Sequence, residues 1–132
     1  MYKHILIPTD GSETADKAVQ AGVDFAREAN AKVTCFTAMP EYQMPTQTEL
    51  MSRQAITPDE YERRCSEKAE ALFADVARRA NAAGIEFDTE YVQSDSPYQA
   101  IIDAAERHRC DLIFMASHGR RGISALLHGS QT

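Results

Sequence analysis

An α/β fold, an open Rossmann-like parallel sheet with helices on both faces, is what this sequence predicts, on three observations. Short apolar runs alternate with longer stretches of helical period along the whole chain. Two of those runs, Ile5-Leu6-Ile7 and Leu112 to Ala116, are apolar without alternation, as suits strands covered on both sides. Capping and stop residues stand at the joints between runs.

Lys3 to Thr9 reads as the first strand, stopped by Pro8-Thr9-Asp10-Gly11. Ser12 is a good N-cap with Glu13 in the first turn, and Ala18, Gly22, Phe25, Ala26 and Ala29 repeat at helical spacing until Asn30. Lys32 to Met39 makes a second strand. Pro40 to Ile56 shows no clean period and is either a functional flap or a disordered connection. Thr57-Pro58-Asp59-Glu60 is a capping box for a long helix with Ala69, Leu72, Phe73, Val76, Ala80 and Ala83 on its buried stripe, stopped by Gly84. Ile85 to Tyr91 alternates, with Glu86, Asp88 and Glu90 on one face, and reads as a solvated strand at the sheet rim. Ser96-Pro97-Tyr98-Gln99 is another capping box, opening a helix through Ala100, Ile101, Ala104, Ala105 and His108. Leu112 to Ala116 is the fourth strand. Right-handed crossovers and central placement of the two most apolar strands give the order 3-2-1-4.

At 132 residues the chain is one domain, residues 1–132. A net charge of −6 argues against binding nucleic acid or anionic membrane, because phosphate surfaces favour the opposite sign. Cys35, Cys65 and Cys110 are widely spaced and form no C-x-x-C pair, which suits free thiols in a reducing compartment. No run is long enough for a signal-peptide core or a membrane span. The expectation is a cytoplasmic protein.

In an order 3-2-1-4 the winding reverses between strands 1 and 4, and ligands of open α/β sheets bind beyond the strand ends at that switch. Pro8-Thr9-Asp10 and Met115-Ala116-Ser117-His118-Gly119 are therefore expected to face one cleft. Glycine, serine and arginine follow the fourth strand, with Gly129-Ser130 beyond. Exposed backbone N–H groups and two arginines make phosphate a natural guest there, although an ordinary strand-to-helix turn has the same composition.

These residues resemble the universal stress proteins. The start, Met1 to Ser12, is similar to that family's first strand and Asp loop. The family's nucleotide-binding members carry G-x2-G-x9-G-[ST], whose second half matches Gly119, nine residues, then Gly129-Ser130. Its first glycine is Ala116 here. That costs about 1–2 kcal/mol if the position needs φ > 0, and little otherwise.

The resemblance implies ATP or another adenine nucleotide with Mg²⁺ or Mn²⁺, and a homodimer at full length. Asp10 would lie near the ribose and metal, beside Pro8 and Thr9, and Ala38 would offer backbone groups to the adenine edge. Met115 and Ala116 would line the ribose side. Gly119, Arg120, Gly129, Ser130, Gln131 and Thr132 would hold the phosphates. His118 neighbours the cleft in a packing role. A plainer role for Asp10 is bonding its own turn.

The family continues into a further helix and a fifth strand, both expected to be missing from this chain. It therefore looks truncated or without its tail, and Gly129-Ser130 is a helix entry with no helix. Two other readings stay open: a nucleotide-free dimerisation or interaction module, and an adenylate-using enzyme. No Walker A lysine-serine pair is present, and at most slow ATP hydrolysis is expected.

Overall fold

The computed structural model describes residues 2–116 and 123–127, the latter as backbone. In chain order they form β1 (His4–Pro8), α1 (Glu13–Ala29), β2 (Lys32–Met39), α2 (Gln47–Ser52), α3 (Pro58–Ala82), β3 (Phe87–Gln93), α4 (Pro97–Arg107), β4 (Leu112–Ala116) and β5 (Ile123–Leu127). One sheet takes the order β3-β2-β1-β4-β5. Its first four members are parallel, in the 3-2-1-4 order expected, with the two most apolar strands adjacent and β3 at the rim.

The fifth member was not expected: it is an antiparallel return directly after β4, not the parallel strand that follows a further helix in the family. β5 pairs antiparallel with β4, from Leu112↔Leu127 to Ala116↔Ile123. It occupies part of the stretch assigned to a phosphate loop. The free edge of β4 needs hydrogen-bond partners, and so short a connection permits only an antiparallel return.

Most helix ends follow their sequence signals. Ser12 Oγ accepts the Ala15 N–H at 3.1 Å, Asn30 closes α1 in the left-handed region at φ 55, and Thr57 Oγ1 accepts the Glu60 N–H at 3.1 Å. The Ser96 capping box does not form. Ser96 sits at φ −120, ψ 76 without a side-chain cap bond, and Gln99 donates forward to Asp103 at 2.9 Å. β3 starts at Phe87, because the Ile85 N–H closes the α3 terminus on the Ala80 carbonyl.

The 40–56 segment is a folded flap. Thr46 and Glu49 cap α2 reciprocally, at 3.1 and 2.8 Å, yet α2 buries none of its residues. Its base is clamped. Glu41 N–H donates to Asp95 at 3.0 Å and the Tyr42 hydroxyl to the Ile56 carbonyl at 2.7 Å. The Tyr61 hydroxyl donates to the Pro40 carbonyl.

Period-two alternation splits the core between the two faces. Ile5, Ile7, Val33 and Cys35 point toward α1 and α3, where Val19, Val23, Val76 and Ala80 meet them. Leu6, Phe36 and Ile113 point the other way, onto Ile101, Ala104 and Ala105 of α4. Gly22 lets α1 lie close against the centre of the sheet. A Cβ there would stand 2.7 Å from Ile7 Cδ1 and 3.2 Å from Phe114 Cδ1.

Candidate functional site

The carboxyl end of β1 turns sharply into α1. The Thr9 N–H reaches the Phe36 carbonyl of β2 at 2.9 Å and so continues the ladder on that side. Gly11 then adopts φ 84, and a Cβ there would meet Leu72 Cδ2 at 2.8 Å, so the turn requires glycine. Thr9 Oγ1 accepts the Gly11 N–H at 3.2 Å and Asp10 Oδ1 accepts the Ser12 N–H at 2.9 Å. Asp10 is exposed at this rim and holds its own turn, as the plainer reading expected.

Between β1 and β4 the hydrogen-bonded ladder ends early. β1 pairs with β2 from His4 to Pro8, but with β4 only at Ile5↔Leu112 and Leu6↔Ile113. β4 continues to Ala116 in register with β5. The ladder therefore stops above Leu6 at the point where the winding reverses, the place where open α/β sheets take ligands. Pro8 lies on the β1 side of that place. Ala38 and Met115 both pack on the Leu6–Phe36 cluster, half-buried, and so share the α4 face near the strand ends. Ala116 closes β4 as a strand residue paired with Ile123 and is not among the positive-φ residues. The methyl group that replaces the family glycine thus carries no left-handed penalty. His118, Gly119, Arg120, Gly129, Ser130, Gln131 and Thr132 lie outside the described residues.

Among the described residues the charge at this rim is mostly negative: Asp10, Glu13, Asp16 (paired with Arg79), Glu41 and Asp95 belong to the loops and helix starts after β1, β2 and β3. A polyphosphate here needs cationic compensation, which arginine or a bound divalent cation could supply. Among the described residues no cluster of three or more His, Cys, Asp or Glu is arranged to hold a metal by itself. Asp10 could then only share a cation with the ligand's own oxygens.

A polar network at the other end of the strands was not anticipated. His4 Nε2 and Thr34 Oγ1 are 2.6 Å apart, and Thr34 donates to Asp88 Oδ1 at 2.6 Å, so the imidazole is the donor to Thr34. Lys32 Nζ lies 3.2 Å from Asp88, while Arg107 and His108 both contact Glu90 at 2.7 Å. The acids of β3 are therefore partnered, which corrects their reading as a merely solvated rim. Burial, then the neighbouring Lys32 charge, holds the His4 imidazole below its ordinary pKa. Burial works to raise the Asp88 and Glu90 carboxyls. Hydrogen bonds from Thr34 and Lys32, and from Arg107 and His108, outweigh it and leave both lowered. The sequence signal was Thr34, one of two hydroxyls with Thr37 in a mostly apolar strand, two residues from Lys32; the structure buries it fully.

A parallel sheet whose winding reverses beside an aspartate turn defines an open, Rossmann-like α/β protein. The family is shown by comparison. The model of the Universal stress protein family matches residues 1–132, and the chain belongs to that family. It is 28% identical over 135 residues to universal stress protein MJ0531 of Methanocaldococcus jannaschii, covering 98% of this chain and 73% of that protein. Its fold is similar to a universal stress family protein from Burkholderia pseudomallei, with TM-score 0.73 and 22% identity over 89% of this chain and 83% of the other. It is also similar to a universal stress protein solved in complex with cAMP, with TM-score 0.61 and 22% identity over 87% and 76% of the two chains.

Proposed function

We propose that this protein is a cytoplasmic regulatory member of its family that binds ATP, or another adenine nucleotide, with Mg²⁺ or Mn²⁺ at the carboxyl ends of β1 and β4. One observation carries the reading: the β1–β4 ladder ends at Leu6, where the winding reverses, beside the Asp10 turn and the half-buried Met115 and Ala38. The cAMP bound by a structural relative supports an adenylate as the guest. Pro8, Thr9, Ala38, Met115 and Ala116 would enclose the nucleoside, and Asp10 would share the cation. His118 would pack beside the cleft. Gly119, Arg120, Gly129, Ser130, Gln131 and Thr132 would serve the phosphates through N–H groups, a guanidinium and hydroxyls. Bound cation supplies charge neutralisation at the phosphates. Binding rather than turnover is the activity, and the full-length protein is a homodimer. A cytoplasmic place accords with the free cysteines and with the described residues, in which no helix is long and apolar enough to cross a membrane.

Mass spectrometry of ligand released from protein purified without added nucleotide tests this directly. An adenine nucleotide is expected, with a dissociation constant in the micromolar range, about −8 kcal/mol. Asp10→Ala should weaken binding more than His118→Ala, and the reverse order removes the role given to Asp10. A silent titration with ATP·Mg would favour the second reading, a nucleotide-free interaction module. That reading draws on the flap, where Met44, Leu50 and Met51 are exposed together.

A further inference from the structure

The early end of the β1–β4 ladder, after Leu6↔Ile113, traces to one residue. Along a strand, successive residues address opposite neighbours through their backbone groups. In β1 the His4 carbonyl receives the Asp111 N–H at 2.8 Å, so even positions face β4. The Lys3 carbonyl receives the Lys32 N–H, and the Thr9 N–H donates to the Phe36 carbonyl, each at 2.9 Å, so odd positions face β2. The next donor toward β4 after Leu6 is therefore residue 8. Continuing the register Leu6↔Ile113 places it opposite Met115, with the Phe114 carbonyl as its acceptor. Residue 8 is proline and has no N–H to give. Proline is normally kept out of central strands because it breaks a ladder. Here it breaks only one. Pairing with β2 runs through Pro8↔Phe36 undisturbed.

We propose that Pro8 is the positioning residue of the candidate site: its missing N–H stops β1 and β4 from zipping past Leu6 and so keeps the nucleoside subsite open. The affinity part of this proposal rests on the nucleotide reading above, whereas the ladder part does not.

The test compares Pro8→Ala with N-methylalanine at the same position, made by joining synthetic residues 1–34 to residues 35–132 at Cys35. Alanine restores the N–H, and N-methylalanine withholds it without the ring. In Pro8→Ala the new amide should exchange with solvent about a hundredfold more slowly than an open amide, as a ladder member does. Affinity for ATP·Mg should fall about tenfold or more, and N-methylalanine should restore it. A fast-exchanging amide at position 8 overturns the proposal. So does a Pro8→Ala chain that binds as tightly as the parent, or an N-methylalanine chain as weak as Pro8→Ala. Loss of fold in Pro8→Ala also overturns it, because a sheet that zips further should hold at least as well. If the parent binds no adenine nucleotide, the nucleotide reading fails by itself, and amide exchange still decides the ladder.

Discussion

The two ends of this sheet are built from the same strands and treated oppositely. At the amino end every gap is tied. Asp111 accepts the backbone N–H groups of Lys3 and His4 at 2.9 and 3.1 Å, and the His4–Thr34–Asp88–Lys32 chain crosses three strands. Glu90 adds α4 to that seam through Arg107 and His108. At the carboxyl end the β1–β4 ladder stops after Leu6, and the loop after β2 is a flap with no buried helical residue. Side-chain bonds that seal one end cost the other nothing, because parallel strands need support only where they would otherwise fray. The contrast shows how one sheet can hold a ligand: rigidity is concentrated away from the place that must admit it.

The largest expected break in this contrast comes from Thr34→Val. The shape is kept, but His4 loses its acceptor and Asp88 a donor, which should destabilise by about 1–3 kcal/mol. Urea unfolding should show a lower midpoint at unchanged slope. An unchanged or higher midpoint would mean the network is dispensable. Asp111→Ala should follow at about 1–2 kcal/mol, since two N–H groups at the start of β1 lose their acceptor. Amide exchange at Lys3 and His4 should quicken while that of Thr9 does not. Equal quickening at both ends would erase the division drawn here.

Acid sharpens the comparison with a smaller effect. His4 is held below its ordinary value of 6.5, by burial first and Lys32 next. The unfolded chain therefore takes up that proton before the native one as pH falls, and stability declines below about 6.5. Asp88 and Glu90, with net lowered values, add stability above the usual carboxylate range that is lost as pH drops through their folded values. A stability profile flat from neutral pH into that range would remove His4 from the network's electrostatics.

Much of the fold was legible because it is written in periods and punctuation. Ile5-Leu6-Ile7 and Leu112 to Ala116 marked the sheet centre, and Ser12, Asn30 and Thr57 marked helix ends where they lie. What stayed hidden depends on who stands across the sheet. Thr34 becomes a relay only because His4 and Asp88 flank it, and no linear pattern brings together residues so far apart. The signal Thr46-x-x-Glu49 for α2 was present, but Pro40 and Pro45 obscured it, and nothing in the core selects so short a helix. Ser96 had the right letters and the wrong backbone. At the candidate site, Asp10, Pro8, Ala38 and Met115 were readable from the topology and the family motif. A cleft there was expected too, but the early end of the β1–β4 ladder was not, since it depends on which neighbour each residue of β1 faces.

The placement of sulfur has a consequence for oxidising conditions. All three thiols are buried, and burial pushes those of Cys35 and Cys110 up to about 12, far from the reactive thiolate form. Met44 and Met51, 81% and 78% exposed on the flap, present thioethers to solvent instead. Mild peroxide should therefore convert those two to sulfoxides before any cysteine reacts, as peptide mass mapping would record. The flap would turn from apolar to polar while the sheet beneath kept its packing.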